Sequence, residues 1–330
     1  MRIGIAFDLK SDFGAQSGGP EDLYEEYDSE ATVAAIEAAL RDKGHSPVRL
    51  FGGRRFLERA TAEKVDLVFN LAEGTGGTRS REAHVPAVCE ILKLPHTHSD
   101  PLTLAVTLDK GLAKRIAASY GVPTPRFAVI DDARQVVDVE LEFPVIAKPL
   151  FEGSSMGVRK SSRVLHKPGL HALCTQLLAD YKEPVLVEEF CSGPEFTVGV
   201  RGNGLGATVL GVMEIVPRLM KPEEFVYSLE VKRNYETEVE YHAPPRRAAE
   251  TVAAVAKTAL GAYRALGCRD LARVDIRIGR DGEPKFLEVN PLPGINPVTG
   301  DIVILSRAMG IGYADLIDGV IEAARSRYGL

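Results

Sequence analysis

The sequence is poor in cysteine, and its few cysteines are far apart. Cys89, Cys174, Cys191 and Cys268 are the four among 330 residues, and no Cys-x-x-Cys pair occurs. Neither a thiolate zinc site nor a disulfide framework is therefore indicated. We expect each cysteine to be a small buried hydrophobic residue with a reduced thiol.

An excess of positive charge and long apolar runs are also lacking. Forty lysines and arginines against 46 aspartates and glutamates give a formal net charge of −6, which argues against nucleic-acid binding because a basic excess is needed to displace phosphate counterions. No apolar run approaches the roughly 18 residues of a membrane helix. Residues 1–8 become charged too soon for a signal peptide, so we expect a cytoplasmic protein without a membrane partner.

The pattern of apolar residues divides the chain into three units. Residues 1–98 alternate strand-like and helix-like segments, which predicts an N-terminal α/β domain with a parallel sheet. Residues 99–184 predict a second, smaller unit with a glycine-rich stretch. Residues 185–330 are rich in strands and end in helices, so the C-terminal half is expected to be α+β. Residues 220–242 are irregular, and loops of that length are usually functional lids or disordered segments.

Two segments near the C-terminus read as a β-hairpin. Residues 273–278 and 285–290 both alternate polar and apolar side chains, which is the period of a half-buried strand. Between them lies Asp281-Gly282, and Asp-Gly is a preferred centre of a two-residue turn. The sequence therefore predicts a hairpin whose loop is these two residues.

This predicted hairpin brings acidic side chains together. With that loop, Asp275 faces Glu288 and Arg273 faces Asn290 on one side of the ladder. Two facing carboxylates repel each other, and a hard cation such as Mg²⁺ between them would explain the placement. The alternative is that Arg273 or Arg277 neutralises the pair on a solvated face.

A glycine-rich stretch follows a strand that ends in a lysine. Lys148 lies in the strand, and residues 152–157 read Glu-Gly-Ser-Ser-Met-Gly. Glycines let backbone N–H groups approach phosphate oxygens, and serines add hydroxyl donors. The stretch is not a Walker A motif, because no Gly-Lys pair occurs in the chain.

The same glycine-rich stretch also fits the G-x-S-x-G pattern of a serine-hydrolase nucleophile elbow. That elbow should lead at once into a helix, but residues 158–162 have no helical apolar period. A catalytic histidine should also come late in the chain, and the last one is His242. A serine hydrolase is therefore the less favoured alternative.

Taken together, these segments resemble the ATP-grasp superfamily, and within it the D-alanine–D-alanine ligases. The resemblance spans nearly the whole chain and rests on motifs in a fixed order. They are Asp109-Lys110, residues 145–149, residues 152–157, Glu188-Glu189, residues 192–197, Arg273-Val274-Asp275, residues 288–290 and Pro293-Gly294.

The resemblance implies a three-domain ATP-grasp fold, with the N-terminal α/β domain followed by two α+β domains that enclose ATP. It implies an ATP-dependent ligase that joins two D-alanines through an acyl phosphate and forms ADP and phosphate, as in peptidoglycan synthesis for the cell wall. The cofactors would be ATP and two Mg²⁺ ions, or Mn²⁺ in their place. The partners would be small amino-acid substrates. A homodimer is compatible with the resemblance.

The resemblance also assigns roles to individual residues. Lysines would hold the phosphates, the glycine-rich loop would close over them, residues 188–191 would meet adenine, and Glu195 would meet the ribose. The implied ATP-binding set is Lys110, Lys148, Gly153, Ser154, Ser155, Met156, Gly157, Glu188, Glu189, Phe190, Cys191, Glu195 and Lys232.

Metal and catalytic roles follow in the same way. Asp275, Glu288 and Asn290 would bind the two Mg²⁺ ions. Arg273 and the backbone N–H of Gly294 would form an oxyanion site. In the family, a serine at the position of Ser154 helps to shut the site together with a loop tyrosine and an N-terminal glutamate.

The substrate half departs from the family pattern. A His-Gly-x-x-Gly-Glu-Asp-Gly stretch is replaced here by residues 70–84, the loop tyrosine by Arg233, and a serine after the Pro-Gly turn by Thr299. Arg233 is expected to clamp a carboxylate, either that of Glu25 or Glu26 or that of the substrate. The implied substrate residues are Glu25, Glu73, Arg81, Arg233, Thr299 and Gly300.

These departures leave the substrate pair open. D-Alanine is the first candidate. One alternative is an ATP-grasp carboxylate–amine ligase that acts on other amino acids or on a small peptide. A non-catalytic ATP-binding regulator is an alternative of a different class, disfavoured because a nucleotide sensor would not need the oxyanion arginine.

Overall fold

The structure is a computed structural model and describes residues 1–13 and 19–330. Helix α1 (Glu30–Asp42) begins where the Ser29 hydroxyl accepts a hydrogen bond from the Thr32 N–H, as an N-cap does. Its buried residues lie on one side, which packs on the first sheet.

The first sheet is parallel, in the order β2-β1-β3. Its first and last strands in chain order are largely buried because helices cover them, whereas the edge strand between them in sequence is partly exposed. The elements are β1 (Arg2–Ala6), β2 (Ser46–Arg49), β3 (Leu67–Asn70), α2 (Gly53–Ala62), α3 (His84–Leu92) and α4 (Pro101–Leu108). The predicted N-terminal α/β unit with a parallel sheet is confirmed.

The second sheet is antiparallel, in the order β4-β7-β5-β6. Its elements are α5 (Lys110–Ser119), β4 (Phe127–Ile130), β5 (Val145–Pro149), β6 (Arg163–Val164), α6 (Lys167–Tyr181) and β7 (Val185–Glu189). The domain boundary at residues 184 and 185 stays a prediction. Strand β7, which follows that boundary, pairs with strands of the second sheet.

The third sheet is also antiparallel, in the order β10-β9-β8-β11-β12. Its strands are β8 (Glu195–Arg201), β9 (Thr208–Pro217), β10 (Val239–His242), β11 (Leu271–Ile278) and β12 (Pro284–Asn290). The helices of this part are α7 (Leu229–Arg233), α8 (Tyr235–Glu238), α9 (Ala249–Ala265), α10 (Asp301–Ala308) and α11 (Tyr313–Tyr328).

The helices at the C-terminus share a hydrophobic core with the N-terminal sheet. Leu305 of α10 and Ile317 and Ile321 of α11 belong to the same buried cluster as Ile3 and Phe69. All four cysteines are buried and free, as expected. Within the described ranges, no helix is long and apolar enough to cross a membrane.

One buried carboxylate joins three parts of the chain. Asp270, 1% exposed, accepts hydrogen bonds from the His98 N–H at 2.8 Å and from the Asn203 amide at 3.0 Å. Arg327 of α11 lies 2.9 Å from the same carboxylate and also donates to the His96 carbonyl. Arg327 therefore neutralises the charge that Asp270 brings into the interior.

Replacing Arg327 with methionine should lower the free energy of unfolding by about 3 kcal/mol, because it leaves Asp270 buried without a counter-charge. Urea unfolding measures the change. The control is Arg325→Met on the same helix. Its partner Glu322 is half exposed, and loss of such a surface pair should cost no more than about 1 kcal/mol. Equal effects of the two variants would contradict the role given to Asp270.

Candidate active site

The hairpin of β11 and β12 places the acidic residues as the alternation indicated. Asp275 is the register partner of Glu288, and Arg273 is the partner of Asn290. Both predicted facing pairs are confirmed. Arg273, Asp275 and Glu288 line a common cavity, described below.

The turn of this hairpin differs from the prediction. The Gly279 N–H donates to the Glu283 carbonyl at 2.8 Å, so the loop contains three residues, 280–282, and the predicted two-residue turn is wrong. Gly282 takes the left-handed position with φ 80°, as expected at the end of a three-residue loop.

A β-bulge compensates for the longer loop. Asp275 pairs with Glu288 while the next residue, Ile276, pairs with Phe286. Leu287 is therefore the extra residue of β12 and lines the cavity beneath the acidic pair. The bulge re-aims side chains beside the site, and because of it the facing pairs are those predicted despite the wrong turn.

Arg273 neutralises one of the two facing carboxylates. Its Nη2 lies 2.9 Å from Asp275 Oδ2, and its Nε donates to both carboxylate oxygens at 3.1 Å. Thr197 donates a further hydrogen bond to Asp275 at 3.0 Å. Arg277 instead pairs with Glu195 at 3.3 Å. Burial raises the pKa of Asp275, Arg273 opposes that change, and the facing Glu288 adds to it.

Glu188 of β7 lies between two lysines. Its Oε2 is 2.8 Å from Lys114 Nζ and its Oε1 is 3.0 Å from Lys148 Nζ. Burial alone would raise the pKa of Glu188, but the two ammonium groups outweigh it and lower the pKa. Lys148 also lies 3.7 Å from Glu288, so it links the second sheet to the hairpin of β11 and β12.

Sequence reasoning missed Lys114. It is fully buried in α5 and donates to the Phe286 carbonyl at 3.1 Å. In the sequence it is one of two lysines on an amphipathic helix, and nothing there distinguishes it. The only signal was its position one turn after Lys110, on the same helix face.

The glycine-rich loop is held in left-handed backbone conformations. Ser154 and Ser155 have φ 49° and 61°, which is unusual for residues with a side chain. At Gly157 (φ 71°) a Cβ would lie 2.4 Å from Pro149, so only glycine fits. The Gly157 N–H donates to Asp22 at 2.9 Å, on the side away from the cavity.

The elbow interpretation of this loop is wrong. A short 3-10 turn and strand β6 follow the loop, not an α-helix. The Ser155 hydroxyl donates to the Tyr227 carbonyl at 3.2 Å and is therefore engaged by the lid.

A central cavity lies between the second and third sheets. It collects most of the residues to which ATP roles were assigned, together with Arg273 and the two facing carboxylates. Those residues are Lys110, Lys148, Ser155, Met156, Glu188, Glu189, Phe190, Cys191, Glu195, Lys232, Arg273, Asp275 and Glu288. Among the assigned ATP residues, Gly153, Ser154 and Gly157 do not line it.

Two further cavities adjoin the central cavity. The inner cavity is lined by Glu26, Glu73, Glu82, Lys110, Gly153, Ser154, Glu288 and Asn290, among others. The outer cavity is lined by Glu25, Glu26, Asp28, Tyr227, Lys232, Arg233, Tyr235, Tyr241, Arg273, Gly294, Thr299, Gly300 and Asp301, among others. Arg273 and Lys232 line both the central and the outer cavity.

The inner cavity is acidic. Glu26 is neutralised by Arg81, whose Nη2 lies 2.8 Å away and which also contacts Glu152 at 3.2 Å. Arg81 is thus buried beside the cavity and does not line it. Within the described part of the chain, no cation lies within 4 Å of Glu73 or Glu82. Burial raises the pKa of Glu82 to about 8 and raises that of Glu73 as well.

Residues 220–242 cover the site. The Leu229 N–H donates to the Val158 carbonyl at 3.1 Å, which holds this segment on the glycine-rich loop. Arg233 lies 2.9 Å from Glu25 and 3.3 Å from Glu21. Of the irregular N-terminal stretch that supplies these glutamates, residues 14–18 lie outside the described part of the chain.

The donor set of the hairpin fits a hard cation. Asp275, Glu288 and Asn290 present carboxylate and amide oxygens, the ligands that Mg²⁺ prefers. The Asn290 amide already points at Asp275, with its nitrogen 3.3 Å from Oδ2. Among the described residues, no group of three or more histidine, cysteine, aspartate or glutamate side chains forms a metal cluster.

The three sheets, the glycine-rich loop and the enclosed cavity define an ATP-grasp enzyme. A family model described as the D-ala D-ala ligase C-terminus matches residues 116–322. The D-alanine–D-alanine ligase of Pelotomaculum thermopropionicum is 31% identical, over 91% of this chain and 92% of that protein. An uncharacterized protein of Sinorhizobium fredii, y4sG, is 32% identical, over 89% and 87%.

A solved structure agrees in fold. The D-alanine–D-alanine ligase from Bacillus anthracis, complexed with ATP, superposes with a TM-score of 0.73 at 22% identity, covering 100% of this chain and 99% of that one. The chain therefore belongs to the D-alanine–D-alanine ligase family, and the resemblance inferred from its motifs is confirmed.

Glu288 should make the stability of the protein depend on pH in acid. Burial raises its pKa, but Lys148, Lys110 and Arg273 outweigh that effect and lower the pKa to about 2, from an ordinary 4.5. Between those values the unfolded chain binds a proton that the folded chain does not. Stability should therefore fall as pH falls through this window, by up to about 1.4 kcal/mol per pH unit.

Glu288→Gln should flatten this acid dependence, as measured by urea unfolding between pH 5 and pH 3. Glu283→Gln, exposed directly after the loop of the same hairpin, is the matched control and should keep the wild-type slope. If Glu288→Gln kept the wild-type slope, the low pKa given to Glu288 would be wrong.

Proposed function

We propose that this protein joins two amino acids in an ATP-dependent reaction through an acyl phosphate, releasing ADP and phosphate. D-Alanine is the first candidate for both substrates, because named relatives are D-alanine–D-alanine ligases. The observation that carries the proposal is that Arg273 lines the wall shared by the central and outer cavities. A group there can act on a reaction between molecules held in the two cavities.

The central cavity supports the binding of ATP. Residues 188–191 and Glu195 would surround the adenosine, while Lys110, Lys148 and Lys232 would neutralise the phosphates. Phosphoryl transfer depends mainly on positioning and charge neutralisation. Lys148 is already oriented by Glu188 at 3.0 Å, so its ammonium group needs little rearrangement. Dependence on cellular ATP makes the cytoplasm the expected location.

The hairpin supports a Mg²⁺ requirement. Asp275, Glu288 and Asn290 would hold the ion, and the ion would neutralise phosphate charge. In the structure, Arg273 holds Asp275 at 2.9 Å. Arg273 therefore orients a metal ligand and also presents positive charge to the cavity.

The inner cavity supports a donor that carries an ammonium group. Glu73 and Glu82 present carboxyl groups there, with no cation of the described residues within 4 Å, and Ser154 lines the same space. An amino acid bound through its ammonium group would direct its carboxylate toward Lys110 and Glu288, at the boundary with the central cavity. Cell-wall precursor synthesis is the corresponding role if the donor is D-alanine.

The outer cavity supports the binding of the acceptor and is lined by Arg233 and Thr299, two of the departures from the family pattern. Asn296 already occupies the backbone donors of the turn, since its side chain accepts from the Thr299 N–H at 3.0 Å and its carbonyl accepts from the Gly300 N–H at 3.1 Å. Tyr227, Tyr235 and Tyr241 add an aromatic wall. An acceptor more polar or larger than alanine is the alternative, and ADP release over a panel of D- and L-amino acids and short peptides decides between them.

Arg273→Ala should lower the rate of ligation by about 10²–10³, because negative charge develops on the acyl oxygen only as the amine attacks. ATP affinity, measured by equilibrium binding, should stay near the wild-type value. Arg201→Ala, exposed on the neighbouring strand β8, should change neither quantity. A loss of ATP affinity as large as the loss of rate would assign Arg273 to the nucleotide site instead.

The Arg233–Glu25 pair should keep water away from the acyl phosphate. Arg233→Glu should lower the yield of peptide per ADP by a few-fold, since a partly exposed pair contributes up to about 1 kcal/mol. The double variant Arg233→Glu with Glu25→Arg should restore much of the yield. Wild-type yield should also fall with added salt, which screens the pair.

Lys221→Ala serves as the control for the lid pair, because Lys221 is exposed in the same segment. It should leave the yield of peptide per ADP unchanged. If Arg233→Glu and the double variant with Glu25→Arg gave equal yields of peptide per ADP, the pair would have no part in closing the site.

A further inference from the structure

Asp301 occupies a position to which the family pattern assigned no role. It is the first residue of α10 and is 5% exposed. Its side chain lines both the central and the outer cavity, as do Arg273 and Lys232. It is therefore a buried carboxylate at the boundary across which donor and acceptor would react.

The contacts of Asp301 leave much of its carboxylate available. Oδ2 lies 3.5 Å from Arg273 Nη1, and Oδ1 accepts a long hydrogen bond of 3.4 Å from the Tyr227 hydroxyl. Tyr227 is itself fixed by Tyr241, at 2.7 Å between the hydroxyls. A carboxylate can accept about four hydrogen bonds, so Asp301 is oriented by its neighbours without being saturated.

The reaction needs a proton acceptor in this place. An amino acid reaches the outer cavity as an ammonium ion, which has no free electron pair for attack. Arg233, at the position of the family's loop tyrosine, is permanently charged and cannot accept a proton. Glu25 is engaged by Arg233 at 2.9 Å, and Glu26 by Arg81 at 2.8 Å.

The charges around Asp301 favour loss of that proton. Arg273 and Asp275 face it from β11, Lys232 from α7, and Tyr227 and Tyr241 from the lid and β10. Burial and then Arg273 lower the pKa of the Lys232 ammonium group. A substrate ammonium group bound beside these cations would be made more acidic for the same reasons.

We propose that Asp301 is the general base for the acceptor amine, an inference that rests on the proposed function. Asp301 takes one proton from the ammonium group as nitrogen attacks the acyl carbon. The new C–N bond forms, and the bond from carbon to the phosphate oxygen breaks. The second proton leaves nitrogen with the departing phosphate, and Asp301 returns its proton to solvent through the outer cavity.

The test compares two acceptors in Asp301→Asn. Hydroxylamine is neutral near neutral pH and attacks an acyl phosphate without a base, forming a hydroxamate that gives a coloured ferric complex. With the donor that gives the highest hydroxamate yield in the amino-acid panel, peptide formation should fall by about 10²–10⁴. Hydroxamate formation should stay within a few-fold of wild type.

The pH dependence is a second readout. Below the pKa of the acceptor, the fraction of free amine rises tenfold with each pH unit. Ligation by Asp301→Asn should therefore recover as pH rises, more steeply than ligation by the wild type. Asp301→Glu, which keeps a carboxylate, should restore part of the peptide-forming rate at neutral pH.

Two variants serve as controls. Asp315→Asn makes the same change in the first turn of α11, where the side chain is exposed, and should leave both acceptors unaffected. Asp28 is the rival carboxylate, because it lines the outer cavity but not the central one. Asp28→Asn should change peptide formation and hydroxamate formation by the same factor. If Asp28→Asn lowered peptide formation selectively and Asp301→Asn did not, the proposal would be overturned.

Other outcomes separate this inference from the proposed function. An equal loss of hydroxamate and peptide in Asp301→Asn, with an unchanged urea midpoint, would mean that Asp301 acts before the amine attacks, and would overturn the proposal. Failure of the wild type to form any hydroxamate across the panel would instead overturn the acyl-phosphate function, and this inference with it.

Discussion

A buried row of charges alternating in sign underlies the whole site. It runs through α5, the second sheet, the hairpin of β11 and β12 and the start of α10, and it joins parts of the chain that are far apart in sequence. Its members are Lys114, Glu188, Lys148, Glu288, Asp275, Arg273 and Asp301. The alternation fails at one step only, where Glu288 faces Asp275, and a cation is the group that would complete it there.

The row exists because each ion needs its neighbours. Moving a charge out of water costs several kcal/mol, and opposite charges on both sides are needed to recover it. Glu188 is 2% exposed and has a lysine on each side. Lys148, which would meet a phosphate, is thus held in place by the Glu188 carboxylate behind it.

Much of the fold was predictable because it depends on local patterns. The Ser29 cap, the alternation in residues 273–290 and the apolar strands at the N-terminus report on neighbours within a few residues. The facing pair Asp275 and Glu288 was predicted for the same reason, although the turn was one residue longer than expected. The bulge at Leu287 was not predictable, since nothing local distinguishes that leucine from its neighbours.

Long-range contacts account for what the sequence did not reveal. Lys114 is recognisable only through Glu188, 74 residues later by the chain numbering, and Arg81 only through Glu26 and Glu152. Asp301 reads as an ordinary first-turn acid of a helix. Its position between two cavities depends on how three sheets meet. The assigned ATP residues were easier to identify from the sequence, because they lie in motifs whose order along the chain can be compared with that of a family.

The core shared by the N-terminal sheet and the C-terminal helices affects how the protein is made. Ile3 emerges early from the ribosome, whereas Ile317 and Ile321, which pack in the same cluster, emerge near the end. At about 5–20 residues per second, the roughly 250 residues between the end of the first sheet and Ile321 take about 13–50 s, and until then the part of this face that α1 does not cover stays exposed. During synthesis that face is available to chaperones, and the first domain is completed only when the last helix arrives.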